Sequence, residues 1–337
     1  MNTQDNLEGK QNINKFLIIQ TAFLGDVILA TPLIEKLHKF YPNCTIDFLL
    51  RKGSEELLDG HPHLNKILVW DKKQKKYKNL FQLRRQIRAE KYDVVINLQR
   101  FISTGYLTAF SKAKLRIGFS KNPFSFLYTH SIKHIIGDQN TKQHEVERNL
   151  SLIAHLTDSN FIRPKLYPGK LSSNAYLEGE YVCVAPTSVW FTKQFPAAKW
   201  VDLLNKLDTN ITIVLIGSSS DHDACEDIMQ ATHHPRIKNL AGKLSLLETA
   251  GLIKGAKMNY VNDSAPLHLA SATNAPVTAI FCSTIPEFGF GPLSDNSKIV
   301  QIKEDLYCRP CGIHGKSSCP EGHFRCAEIE IDSILQS

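Results

Sequence analysis

Long apolar runs are missing from this chain. No window reaches the roughly 18–20 uninterrupted apolar residues that a membrane-spanning helix requires. The most apolar stretch, Phe16 to Ile34, is broken by Gln20, Gly25, Asp26 and Pro32. The opening residues, Met1 to Lys15, are polar and mixed in charge, without the apolar segment of a secretory signal. The expectation is a soluble cytoplasmic protein, at most peripheral at the inner face of the cytoplasmic membrane and with no transmembrane segment. Neither GxGxxG nor GxxxxGK[ST] occurs, so the usual dinucleotide and P-loop fingerprints are excluded. Zinc-finger, RNP-type aromatic and helix-turn-helix signatures are also missing, and no nucleic-acid partner is expected. There is no low-complexity tract and no short repeat.

What is present is a chain of 337 residues, 42% hydrophobic, long enough for two α/β domains. Its formal charge of +7 is unevenly placed: residues 1–160 carry 24 Lys and Arg against 15 Asp and Glu. The densest patch is Lys72-Lys73-Gln74-Lys75-Lys76-Tyr77-Lys78, followed by Arg84, Arg85 and Arg88. Two readings stand for it: a solvated helix face, or attraction to an anionic partner such as a phosphorylated glycolipid or an acidic membrane surface. Of the eight cysteines, Cys44, Cys183, Cys225 and Cys282 sit in apolar or helical surroundings as small core residues. The other four crowd the C-terminal segment, and a disulfide framework is not expected.

Apolar strand-like runs alternate with helical spacing from end to end, which predicts parallel sheets covered by helices. In the first half the strands are Lys15–Gln20, Thr45–Leu50, Lys66–Trp70, Asp93–Leu98 and Leu115–Phe119, with helices at Val27–Phe40, Leu80–Glu90 and Glu145–Leu156. Between Thr157 and Glu180 the pattern lapses into a stretch with Pro, Gly, Ser and Asn, read as a linker. It separates an N-terminal domain, residues 1–165, from a C-terminal domain, residues 175–337. The second half then alternates strands Tyr181–Ala185, Ile211–Ile216, Ile237–Leu240, Met258–Asn262 and Val277–Phe281 with helices at Ala198–Leu207, Asp221–Ala231, Ser245–Lys254 and Pro266–Thr273. The expectation is two Rossmann-like halves facing one another across a cleft.

In open parallel sheets, ligands bind beyond the carboxyl ends of the strands, near helix N-termini whose N–H groups attract phosphate. Three strand ends of the second half are informative: Pro186-Thr187-Ser188 followed by Lys193, Gly217-Ser218-Ser219-Ser220-Asp221, and Asp263-Ser264-Ala265-Pro266-Leu267-His268. Together they supply hydroxyls, a small residue and a lysine, a set suited to a diphosphate. Each has a structural alternative. Asp263 and Ser264 also suit the cap of a helix with Pro266 in its first turn. His268 also suits a structural histidine, and Lys193 is one of 40 basic residues. In the first half, Gly25 permits a tight path between strand and helix, and Asp26 sits where an N-cap belongs. Asp26 is equally placed to take a proton from an acceptor hydroxyl.

The stretch Phe16 to Leu33, with Thr21-Ala22-Phe23-Leu24-Gly25-Asp26 at its centre, resembles the opening signature of the ADP-heptose:lipopolysaccharide heptosyltransferases. Tyr260-Val261-Asn262-Asp263-Ser264-Ala265-Pro266-Leu267-His268-Leu269-Ala270 resembles that family's second signature. Leu115–Phe119 after Lys112-Ala113-Lys114, and Lys193 followed by Pro196, also match, so the likeness spans roughly Phe16 to Ile329. The resemblance implies a GT-B fold and a metal-independent, inverting transfer from a nucleotide-sugar donor to a phosphorylated glycolipid at the inner membrane surface. It implies Asp26 as general base, with Thr21, Gly25 and Arg100 on the acceptor side. Thr187, Ser188, Lys193, Ser264 and Ala265 would hold the donor diphosphate. Asp263 and His268 would contact the heptose or order the phosphate loop, and Asp221 and Leu244 would frame the nucleoside. Lys193 would neutralise the departing ADP, work that a metal does in other transferases. Gln20 stands where many relatives carry a basic residue, and Ala265 where many carry Gly.

No cofactor is expected. Cys308, Cys311, Cys319 and Cys326 have ligand types suited to a structural zinc, although a packed cluster of reduced thiols is preferred and redox pairing is a third option. Two other readings are kept: a GT-B transferase using another nucleotide sugar for surface polysaccharide, and a nucleotide-sugar-binding relative that has lost catalysis. A nucleotide-sugar epimerase has no motif here.

Overall fold

The computed structural model describes residues 13–137, 142–169 and 179–335. Residues 1–12 of the opening stretch and 170–178 of the expected linker lie outside them. The chain divides into two compact units, one of residues up to Ile135 together with Val146–Ile162, the other of Ile136–Glu145 together with residues from Arg163 onward. The first unit thus takes back a segment after the chain has already entered the second.

In the first unit the elements run β1 (Lys15–Ile19), α1 (Leu24–Phe40), β2 (Thr45–Arg51), β3 (Lys66–Trp70), α2 (Lys76–Glu90), β4 (Val94–Asn97), α3 (Ile102–Ala109), β5 (Leu115–Phe119), β6 (His130–Ile132) and α4 (Glu145–Ser151). The sheet order is β3-β2-β1-β4-β5-β6, with every pairing parallel. The central strands read as unbroken apolar runs because helices cover both faces. Phe16 to Ile19 and Val94 to Ile96 are fully buried. Pro32 lies inside α1, where it cannot donate to the Ile28 carbonyl one turn back. The Thr31 hydroxyl donates to that carbonyl instead, at 2.7 Å.

The second unit runs β7 (Tyr181–Ala185), α5 (Ala197–Asn205), β8 (Thr212–Leu215), α6 (His222–Ala231), β9 (Ile237–Asn239), α7 (Leu246–Gly255), β10 (Met258–Asn262), α8 (Ala265–Thr273), β11 (Val277–Phe281), β12 (Ser297–Gln301) and α9 (Ile331–Leu335). Its parallel sheet is ordered β12-β11-β10-β7-β8-β9. Numbered from its own first strand, this repeats the 3-2-1-4-5-6 order of the first sheet, the Rossmann arrangement. Ser245 and Glu248 open α7 reciprocally: the Ser245 hydroxyl accepts from Glu248 N at 3.2 Å, and Ser245 N donates to the Glu248 carboxylate at 2.7 Å.

Four expectations are corrected. Helix α1 begins at Leu24 with Phe23 in the cap position, so Asp26 is its third residue rather than its cap. Gly25 lies within that first helical turn, not in a tight turn of positive φ. The helix expected over Glu145–Leu156 ends at Ser151 and continues as turns. Strands β6 and β12 and helices α3 and α9 add to the expected elements. Strands β6 and β12 lie at sheet edges, where few residues are buried and no apolar run forms.

Candidate active site

The order of each sheet reverses direction beside its first strand, and the crevice at that switch point is where such sheets take ligands. In the second unit it lies between the ends of β7 and β10. Asn262, the last residue of β10 and wholly buried, bridges the two ends. Its amide donates to the Pro186 carbonyl at 2.8 Å, and its side-chain oxygen accepts from Phe195 N at 3.0 Å. The half-buried Thr187 and Ser188 are thereby fixed beside the start of α8. Ser264 occupies the cap position of α8, but its hydroxyl does not cap; it approaches the Asn262 carbonyl at 3.4 Å. The first turn of α8, with Ala265 at its head, adds the N–H groups that attract a phosphate.

Lys193 closes a 3-10 turn, Phe191–Lys193, that follows the β7 loop. Its ammonium lies 2.7 Å from Asp263 Oδ2, and the Thr284 hydroxyl donates to the same oxygen at 2.6 Å. His268, one turn into α8, is buried, and its Nδ1 has no hydrogen-bond partner among the described residues. Burial pulls its pKa down to about 4, with Lys193 and His144 adding to the fall and Asp263 opposing it. The ring is therefore neutral at physiological pH, with an orphaned nitrogen near the strand ends. A buried polar atom without a partner calls for an explanation, and a bound ligand, ion or water is one.

Asp221 is engaged in the loop after β8, where its carboxylate accepts from Ser218 N at 2.8 Å. It sits at the end of the Ser219–Asp221 turn and occupies the cap position of α6, which begins at His222, without a side-chain bond to that helix. The half-buried Leu244 follows Gly242. Gly242 has φ +75°, and any Cβ there would stand 2.6 Å from Ser219 Cα.

Sequence reasoning did not single out the wall behind Lys193. Thr192 N donates to Lys316 O at 3.1 Å, and Lys316 N donates to the Thr192 hydroxyl at 2.8 Å. Ser283 joins the Thr192 hydroxyl at 2.9 Å, and Cys311 N donates to Ser283 O at 2.9 Å. Gly315 has φ +74°, and a Cβ there would press on the Lys193 side chain at 3.1 Å. Arg309 anchors the segment, donating to the carbonyls of Cys282 and Thr284, each at 2.7 Å. The contacts of Thr192 with Lys316 join residues 124 positions apart, the others span shorter but still long-range separations, and no local pattern announces them.

The same segment carries the cysteines. All eight are free thiols, with Cys326 buried in the second unit's core. Burial raises the Cys311 thiol and pushes Cys326 up to about 12, so both stay protonated. Among the described residues no group of three His, Cys, Asp or Glu is arranged to hold a metal ion.

In the first unit the equivalent crevice lies between the ends of β1 and β4. The buried Gln20 and Gln99 join through their side-chain amides across it. The buried Thr21 hydroxyl has no hydrogen-bond partner among the described residues. Asp26 accepts from Phe23 N at 3.0 Å. Arg100 is exposed at the β4 end. Two cations that the expected site did not include attend the Thr21–Phe23 loop. Lys72 donates to Thr21 O at 2.7 Å and rests 4.8 Å over the Trp70 ring. Arg51 stacks 4.8 Å over Phe23. Desolvation first, then Arg51 and Lys76, pull the Lys72 pKa down to about 8. The basic run is therefore not uniform: Lys72 turns toward the site, whereas Lys73, Lys75, Lys76 and Lys78 are exposed.

Residues 80–320 match the family model described as glycosyltransferase family 9 (heptosyltransferase). The chain is 30% identical over 291 residues to lipopolysaccharide heptosyltransferase 3 of Escherichia coli, covering 81% of this chain and 85% of that one. Its fold is similar to the solved structure of E. coli ADP-heptose LPS heptosyltransferase II, with TM-score 0.75, 22% identity, and 88% of this chain and 95% of that one covered. It is also similar to a family 9 glycosyltransferase from Veillonella parvula, with TM-score 0.83, 20% identity, and 96% and 95% covered. The two parallel sheets have the GT-B architecture of these structures. No helix among the described residues is long and apolar enough to cross a membrane. Family match, sheet order and strand-end chemistry agree, and the chain belongs to glycosyltransferase family 9, the heptosyltransferases.

Proposed function

We propose that this enzyme transfers a heptose from ADP-heptose to the inner core of lipopolysaccharide, with inversion and without a metal in the transfer step. The observation that carries the reading is the donor-side arrangement of Lys193, buried on Asp263 beside Thr187, Ser188 and the start of α8. The names of similar proteins support the sugar and the acceptor class, as lipopolysaccharide and lipooligosaccharide heptosyltransferases of several bacteria.

In this reading a hydroxyl of the acceptor saccharide attacks the anomeric carbon of the donor. Asp26 takes the hydroxyl proton as the new C–O bond forms, and the bond to the diphosphate breaks on the opposite face, inverting the centre. ADP leaves with the electron pair. Lys193, the hydroxyls of Thr187, Ser188 and Ser264 and the N-terminus of α8 stabilise its growing charge. Asp263 holds Lys193 in position, and neutral His268 presents its orphaned Nδ1 toward the sugar or the phosphate loop. Asp221 and Leu244 border the nucleoside, Asp221 by fixing the Ser218 loop. On the acceptor side Thr21, Gly25 and Arg100 are joined by Arg51 and Lys72, cations suited to acidic groups on a phosphorylated glycolipid.

The test is product analysis with a panel of nucleotide sugars and a purified inner-core glycolipid. ADP release together with heptosylated acceptor, at the opposite anomeric configuration, is expected with ADP-heptose. Preferential turnover of another nucleotide sugar would shift the assignment to surface polysaccharide synthesis. Donor binding without turnover would indicate a binding protein.

A further inference from the structure

Five aromatic rings of the first unit form a connected chain on its surface, drawn from three separate segments. Phe81 on α2 meets Tyr106 of α3 at 6.0 Å, and Tyr106 meets Phe110 at 5.1 Å and Phe124 at 6.4 Å. Phe124 in turn meets Phe110 at 5.9 Å and Phe126 at 6.4 Å. Tyr106 packs against the core and Phe124 is half-buried, but the other three rings are exposed. Phe81 is 50% exposed, Phe110 41% and Phe126 78%. Phe101 at the head of α3 is 55% exposed, and Asn122, in the loop that carries Phe124, donates to its carbonyl at 3.0 Å. A contiguous exposed aromatic surface of this kind marks an interaction face.

Its surroundings are basic. From Lys72 to Lys133 the chain has 15 Lys and Arg and only two acidic residues, Glu90 and Asp93. Both acids are already neutralised, Glu90 by Lys15 and Lys66 and Asp93 by Lys114. Arg84 lies 5.6 Å over the Tyr106 ring, and Lys78 and Arg85 are exposed on the same helix as Phe81. Rings that enter the headgroup layer, with cations around them, complement an anionic lipid leaflet. A protein partner would have to bring a matching acidic surface; a leaflet of acidic phospholipid presents one everywhere.

We propose that the face made by α2, α3 and the Phe124–Phe126 loop docks this enzyme on an anionic phospholipid bilayer. The face runs up to the catalytic edge, because α3 begins just beyond the carboxyl end of β4, where Gln99 meets Gln20. A docked molecule holds that edge at the lipid surface. The inference needs only a bilayer and does not depend on which sugar is transferred.

The test is co-sedimentation of the full chain with vesicles of phosphatidylethanolamine and phosphatidylglycerol, and with vesicles of phosphatidylcholine alone. Binding is expected to the anionic vesicles and to fall as salt rises. Phe81→Ser with Phe126→Ser, and separately Lys78→Glu with Arg85→Glu, should each lower the partition coefficient about tenfold or more. These residues are on the surface, so melting temperature and turnover of a water-soluble acceptor fragment should stay close to wild type. Equal partition of wild type and both variants, or no vesicle binding at all, would overturn the proposal. So would lipid-free sedimentation in which wild type is a dimer and the phenylalanine variant a monomer, which would make the face a self-association surface. If vesicles bind as expected while ADP-heptose is not turned over, the docking face stands and the sugar assignment falls.

Discussion

Lys193 reaches Asp263 at 2.7 Å in surroundings that leave only 13% of the lysine side chain and 5% of the carboxylate exposed. Withdrawing both charges from water is costly, and the pair repays it only while both partners remain. The Thr284 hydroxyl, donating to the same oxygen, adds the hydrogen bond that a buried carboxylate needs.

Lys193→Met is therefore expected to act on two properties at once. It leaves Asp263 buried and unpaired, at a cost of about 3–5 kcal/mol of stability. In the role proposed for Lys193 it would also remove a cation from the leaving diphosphate, lowering turnover by roughly 10²–10³. Adding Asp263→Asn should recover most of the melting temperature and none of the turnover. Recovery of both would make the lysine purely structural.

Asp26→Asn separates proton acceptance from helix geometry. The asparagine oxygen can still accept from Phe23 N, as Asp26 does at 3.0 Å, so α1 should start unchanged. Turnover at saturating donor and acceptor should fall by roughly 10²–10⁴, the usual worth of a general base. Near-wild-type turnover would remove Asp26 from that role.

His268 sets an acid limit on stability. The unfolded imidazole takes a proton near pH 6.5 and the folded one only near 4, so protons favour the unfolded chain. Stability from this residue is fully present above about pH 6.5 and is lost as pH falls toward 4. His134 is also lowered to about 4, by burial and then by Arg148, Lys121 and Arg100, so wild type alone does not isolate His268. The melting-temperature difference between wild type and His268→Gln, followed from pH 7.5 to 4.5, should shrink or reverse toward the acid end. A difference constant with pH would count against the depressed pKa.

Lys72 should titrate near pH 8. Reductive ¹³C-methylation and NMR would show it as the resonance lost in Lys72→Arg. Arg51→Ala should raise its midpoint, since the guanidinium opposes the ammonium, and should weaken acceptor use more than donor use. An unchanged midpoint would mean that the two cations do not share a field.

Much of this arrangement could be read from the residues because it is local. The apolar runs of β1, β4, β7 and β10 are long and buried on both faces, so their ends could be found, and the polar residues at those ends could be named. What was not legible falls into three kinds. Helix α3 has the sequence ISTGYLTA, with β-branched residues and a glycine that disfavour helix, and packing against α2 and the sheet overrides that preference. The contacts of Arg309, Thr192 and Asn262 are long-range and polar, carrying no periodicity. Helix α1 starts one turn before the expected Val27 because Asp26, three residues into the helix, binds the N–H of its cap residue from within.

The anchoring of residues 309–316 also bears on the order in which the second unit is completed. All six strands of the second sheet precede this segment in the chain, so its bonds to Thr192, Ser283 and Thr284 can form only after the last of those strands has been made. A chain cut between β12 and residue 309 would keep every strand of the second sheet but leave Thr192 and the backbone behind Lys193 without these bonds. In the proposed role of Lys193, donor use would then depend on this late segment, and a chain cut before it is expected to keep its strands and lose that use.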